Sequence, residues 1–136
     1  MADRGHERGL IDTSVVIDLG AIEIAALPTS LAISVVTLAE LAAGPHATTD
    51  PAERARRQDR LQRVEATFEP LPVDGDVARA YGRVYAEVRA VGRAPRGRRA
   101  FDLLIAATAV ARGLPLYTRN RSDFEGLEAI LEVVAV

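Results

Sequence analysis

Four acidic side chains sit among residues that otherwise read as apolar core. Asp12 interrupts the run GLIDTSVVI, Glu40 lies inside VVTLAELAA, Asp102 opens AFDLLIAATA, and Asp123 follows PLYT in TRNRSDF. An ionised carboxylate among apolar groups is costly unless it is paired or bound to a metal. Four carboxylates converging on one rim would also raise each other's pKa values by repulsion. A divalent cation resolves both problems. Hard oxygen donors without Cys or His favour Mg²⁺ or Mn²⁺ over Zn²⁺. One or two such ions can activate water and stabilise the leaving oxygen in phosphodiester hydrolysis.

Each acid also has a purely structural role open to it. Thr37 and Glu40 have the spacing of a helix capping box, as do Asn120 and Asp123 with Asp in place of Glu. Asp102 has the position of an N-cap or a first-turn acid. Asp12 could form an Asx turn, although it breaks a strand that has no other reason to carry charge. Asp18, in VIDLG, is a weaker fifth candidate and reads as a cap for the helix that follows.

Composition removes most other chemistries. The 136 residues contain no cysteine and no lysine, and all 17 basic residues are arginine. Thiol nucleophiles, zinc–thiolate sites, Schiff bases and P-loop lysines are therefore excluded. His6 and His46 both lie in polar, loop-like surroundings, which leaves no well-placed histidine for a serine triad. No Gly-rich phosphate loop precedes a helix. The formal charge of -2 hides a segregation. Residues 54–99 hold 12 arginines and 6 acids, a net of +6, whereas the remainder is at -8. Such asymmetry suits either a polyanionic partner or a solvated helix face.

The elements that must position the acids can be read from pattern. The length implies one domain, with a polar tail at 1–9 followed by a single unit at 10–136. A buried strand from Leu10 ends near Asp12–Ser14 and turns into a helix. An Ala- and Ile-rich helix is expected at 21–27, and a strand at 31–36. Helices follow over 37–43, 51–67 and from Asp74, where Val77, Tyr81, Val84, Val88 and Val91 form a core stripe. Asp50, Pro51 and Glu53 carry the signature of a capped helix start. An edge strand is expected at 68–73, a basic loop at 92–99 and a buried helix at 100–112. Strands at 114–118 and 131–136 flank a short helix at 119–125. This alternation predicts an α/β fold with a mostly parallel sheet, whose ligand sites gather at the carboxyl ends of the strands. No signal-peptide core or membrane-spanning run is present, so a cytoplasmic protein with no membrane association is expected.

Four segments then match a known pattern in order: LIDTSVVIDL, SVVTLAEL, FDLLIAATA and LYTRNRSDF. Together they resemble the PIN-domain ribonucleases, specifically the VapC toxins of type II toxin–antitoxin systems, over about residues 10–134. The resemblance implies a three-layer α/β/α sandwich and Mg²⁺- or Mn²⁺-dependent cleavage of RNA, often tRNA or rRNA. It places the family's metal-binding, catalytic acids on Asp12, Glu40, Asp102 and Asp123. Thr13, Ser14, Thr118 and Asn120 match its accompanying polar positions and would orient acids or substrate. Cleavage by activated water would leave 5′-phosphate and 3′-hydroxyl ends. Arg93, Arg96, Arg98 and Arg99 would border the site and contact RNA phosphates. A VapB-type antitoxin and a homodimer are also implied. Leu61 and Phe68 either await cover by such a partner or belong to ordinary core packing. Two other readings stay open: a DNA or flap nuclease on the same fold, and a non-catalytic PIN-like module that binds RNA or protein.

Overall fold

The computed structural model describes residues 6–94 and 97–136. Residues 1–5 of the expected tail, and Arg96, lie outside them. Four short parallel strands form one sheet: β1 (Arg8–Ile11), β2 (Ser30–Ala32), β3 (Leu116–Thr118) and β4 (Val133–Ala135), in the spatial order β2-β1-β3-β4. The first strand therefore takes in Arg8 and Gly9. Five helices surround the sheet: α1 (Thr13–Ile17), α2 (Val35–Ala43), α3 (Pro51–Thr67), α4 (Gly75–Ala90) and α5 (Arg98–Arg112).

Side chains on a strand alternate between the two faces of the sheet, and the core divides accordingly. Leu10 and Leu116 join Val77, Val84, Val88, Leu103 and Ile105 in a cluster between the sheet and α4–α5. Ile11 and Tyr117 join Val15, Val16, Leu41 and Val64 in a second cluster, under α1, α2 and α3. The result is the expected three-layer α/β/α arrangement. Leu61 and Phe68 are half-buried against the second cluster, so the core itself gives them cover.

Several local expectations are corrected. Residues 21–27 form no α-helix; two 3-10 turns, Leu19–Ala21 and Ile24–Ala26, take their place, with Ile24 exposed. The second strand stops at Ala32, because the buried Ser34 accepts a hydrogen bond from the Val36 N–H at 3.0 Å and starts α2 there. Residues 68–73 contribute only a bridge between Leu71 and Ser34. Pro70 and Pro72 have no N–H to donate, so pairing is confined to Leu71, which donates to Ile33 and accepts from Val35. Glu53 does not close a capping box; its carboxylate accepts from Arg56 and Arg57 at 2.8 Å. Helix α4 ends at Ala90, which leaves Val91 outside the stripe and exposed. Helix α5 starts at Arg98, so Arg98 and Arg99 belong to its first turn rather than to a loop.

Two contacts fix neighbouring elements against each other. Asp74 caps α4 by accepting from the Val77 N–H at 3.0 Å, and it also accepts from Arg112, in the last turn of α5, at 2.6 Å. The Arg112 guanidinium and then the Val77 N–H hold the Asp74 carboxyl below the usual carboxylate range. The second contact is the Tyr117 ring lying over Gly9. A Cβ on Gly9 would fall 2.6 Å from Tyr117 Cε1 and 3.0 Å from Pro28 Cγ.

Two predictions follow from these contacts. Gly9→Ala forces a buried ring to move, so urea unfolding should show a loss of about 1–3 kcal/mol. Asp74 contributes stability above the unfolded aspartate pKa and loses it as pH falls through its depressed folded value. Asp74→Asn should therefore lower the thermal midpoint at pH 7, and the difference from wild type should disappear in strong acid.

Candidate active site

Asp12 is the first residue after β1, beside the end of β3. Its N–H donates to the Tyr117 carbonyl at 3.0 Å, which continues the sheet's ladder by one bond. Its side chain is only 5% exposed. One carboxylate oxygen, Oδ1, accepts from Ser14 Oγ at 2.6 Å and from the Val15 N–H at 3.1 Å, so Asp12 also caps α1. Burial pushes its carboxyl above the usual aspartate range. Hydrogen bonds from Ser14, Thr118 and Val15 oppose that shift without cancelling it. Asp12 thus combines the local role with the unusual one: it caps a helix and keeps a carboxylate in a place that favours positive charge nearby.

The polar residues around it make two groups of contacts, one centred on Ser14 and Thr118 and one on Thr13. Ser14 Oγ donates to Asp12 and accepts from the Arg119 N–H at 3.0 Å, which ties α1 to the loop after β3. The fully buried Thr118 accepts from the Asn120 N–H at 3.0 Å, which turns the chain toward Asp123. Thr13 Oγ1 lies 2.5 Å from Glu40 Oε1 and 3.0 Å from Thr37 Oγ1. The Thr37–Glu40 capping box does not form, because Ser34 caps α2 and Thr37 is buried inside the helix. Glu40 is left to face Thr13 and the cleft beside it.

Asp123 lies in a 3-10 turn, Arg121–Phe124, that follows β3. Asn120 makes no side-chain cap to that turn, so no box forms there. Asp102 is half-buried in the second turn of α5, beyond the N-cap position, which Gly97 occupies. Helix α5 packs against both α2 and the Asp123 turn. Asp18 does not cap a helix with its side chain; it pairs with Arg119 at 3.6 Å. Asp12 and Glu40 are thus each held by one of two consecutive hydroxyl residues, Ser14 and Thr13, while Asp102 and Asp123 lie on α5 and on the turn packed against it. Among the described residues, no three His, Asp or Glu side chains gather closely enough to hold a metal ion. The donor chemistry nevertheless fits a hard divalent cation, because a buried carboxylate with a raised pKa is relieved by positive charge.

Of the four arginines expected to border the site, Arg93 is engaged inside the protein. It donates to the Ser122 carbonyl at 2.7 Å and to Glu125 at 3.1 Å, and so braces the turn that carries Asp123. Arg99 is half-buried in the first turn of α5. Sequence reasoning missed a cleft of about 850 Å³ beside Glu40, lined by Thr13, Val36, Arg57, Arg60, Gly97 and Phe101, among others. Its signal was present in α3. Arg57 and Arg60 precede the buried Val64 by seven and four residues, which puts them on the inward face.

Comparisons with known proteins establish the family of the chain. A family model described as PIN domain matches residues 10–128. The chain belongs to the PIN-domain family. Within it, the relatives are VapC ribonucleases. Ribonuclease VapC5 of Mycobacterium tuberculosis is 39% identical over 133 residues, covering 94% of this chain and 95% of that one. Ribonuclease VapC4 of the same organism is 35% identical over 135 residues, covering 95% and 97%. The crystal structure of VapBC-5 from M. tuberculosis, a member of the VapBC family of toxin–antitoxin systems, superposes with a TM-score of 0.80. It is 38% identical and covers 96% of this chain and 99% of that one.

For this PIN domain the buried acid has a measurable cost. Burial raises the Asp12 carboxyl above its unfolded value, so its ionisation costs the fold stability as pH rises through the usual aspartate range. Asp12→Asn keeps an acceptor for Ser14 and Val15. In chelator it should raise the thermal unfolding midpoint at pH 7, and the gain should shrink to nothing below about pH 4.

Proposed function

We propose that this chain is the toxin of a toxin–antitoxin pair, a Mg²⁺- or Mn²⁺-dependent endoribonuclease in a single domain spanning residues 10–136. The observation that carries the reading is Asp12. It is a buried carboxylate at the carboxyl end of a central strand, with a raised pKa; Ser14 ties it to the loop after β3, and Thr13, its neighbour in the chain, bonds Glu40. The family membership and the VapC ribonuclease relatives support the same reading.

Asp12, Glu40, Asp102 and Asp123 would hold the cation. When bound, it supplies water activation and charge neutralisation at the scissile phosphate. Ser14 and Thr118 fix the Asp12 carboxylate, and Thr13 fixes Glu40. Thr118 and Asn120 shape the turn toward Asp123, and Arg93 braces that turn. Each of these groups is held before substrate arrives, which lowers the reorganisation needed during the reaction. The substrate would be an RNA such as tRNA or rRNA. A VapB-type antitoxin is the expected partner, supported by the toxin–antitoxin systems among the structural neighbours. A homodimer and a cytoplasmic location complete the proposal. Among the described residues, no helix is long and apolar enough to cross a membrane.

Purified protein should cleave RNA with Mg²⁺ or Mn²⁺ and stop when EDTA is added. Asp12→Asn and Asp102→Asn should each lower cleavage by at least about a hundredfold while the circular dichroism spectrum is kept. Mapping 5′-phosphate ends in cells expressing wild type or Asp12→Asn reports substrate and end chemistry together. Undiminished cleavage by both variants would overturn the site assignment. Matched DNA oligonucleotides cut as readily as RNA would redirect the substrate.

A further inference from the structure

The cleft beside Glu40 has two unlike walls. Helix α3 carries five arginines, and four of them are satisfied within the protein. Arg54 donates to the Pro45 and Thr48 carbonyls. Arg56 pairs with Glu53, and Arg63 pairs with Asp59. Arg57 donates to Glu53 and to the Gly44 carbonyl. Arg60 differs: it lines the cleft, is half-buried, and has no hydrogen-bond or ion-pair partner among the described residues. Phe101, at the start of α5, lines the same cleft and is 50% exposed. Thr13 and Glu40 also line it, so the cleft opens at the Glu40 side of the proposed acid site.

We propose that this cleft is a nucleotide subsite flanking the cleaved bond, where Arg60 takes an RNA backbone phosphate and Phe101 stacks against a base. The inference rests on the nuclease reading and specifies which side of the acid site the strand follows. An arginine fork matches two phosphate oxygens, and a half-buried one loses less of its interaction to solvent screening than an exposed one. An aromatic ring accepts any base face, so it holds a strand without reading its sequence. Arg57 serves as a brace, since its bonds to Glu53 and Gly44 hold the α3 wall of the cleft in place. Gly97 lines the cleft with φ +67°, a conformation that favours glycine at the turn where α5 begins.

The test uses the full chain carrying Asp12→Asn, so that RNA is bound and not cut. The probe is a fluorescein-labelled, 20-nucleotide single-stranded RNA of mixed sequence, followed by anisotropy across a salt series. Arg60→Gln should reduce the slope of log affinity against log salt by about 0.7, the value for one single-strand phosphate contact. Phe101→Leu should weaken binding about tenfold at constant slope, because stacking is lost and charge is not. Arg60→Lys should keep the slope. Arg63→Gln removes the same charge outside the cleft and should leave both slope and affinity near the parent.

The proposal is overturned if Arg60→Gln and Phe101→Leu bind like the parent, or if Arg63→Gln lowers the slope as much as Arg60→Gln. It is also overturned if the two cleft variants keep RNA binding but lose affinity for an acidic amphipathic peptide, which would make the cleft a protein-docking site. The readout contains no cleavage step, so its failure is distinguishable from failure of the nuclease reading.

Discussion

Burying the Asp12 carboxylate is the constraint around which the rest of the structure is arranged. Desolvation opposes its charge, and only a few hydrogen bonds offset that cost. Those bonds come from places far apart in the chain: Ser14 and Val15 just after β1, and Thr118 at the end of β3. They require β1 and β3 to be adjacent and parallel in one register, with Ile11 opposite Tyr117. That register in turn requires the packing of Leu10 and Leu116 on one face and of Ile11 and Tyr117 on the other. A one-residue slip would exchange the two sets and remove Thr118 from Asp12.

The hydroxyl residues around the acids act as joints between elements. Ser14 connects α1 to the loop after β3, and Thr13 connects α1 to α2. Both follow Asp12 directly, so a three-residue segment, Asp-Thr-Ser, links the sheet to two other parts of the site. Arg93 plays the same part from the far side, through the Ser122 carbonyl. Arg93 braces the Asp123 turn through Nη1 alone, which donates to both Ser122 and Glu125.

Much of this architecture was legible in the sequence where the signal was local. The strand–acid–helix transition at Asp12, the capped start of α3 at Asp50 and the apolar α5 each rest on neighbours a few residues apart. Where the local signal was ambiguous, the expectation failed. LAISVV is apolar and half β-branched, yet Ser34 turns its second half into a helix. FEPLPV looks like a strand, yet its prolines leave one residue able to pair. The Thr37–Glu40 and Asn120–Asp123 spacings fit capping boxes, and neither box forms. In the first case an earlier cap had already set the helix start.

The sequence by itself determined the chemistry available to this protein. With no lysine or cysteine and two histidines near loops, carboxylates and arginines are what remain, and their order along the chain identifies the family. Tertiary structure alone decided which of those groups face one another. Arg60 looks like its four neighbours on α3 until packing turns it into the cleft while the others find partners. Residue type and helical spacing specify a side chain's direction on its own element. Whether a partner is already waiting there depends on elements distant in sequence, brought close by burial of the apolar core.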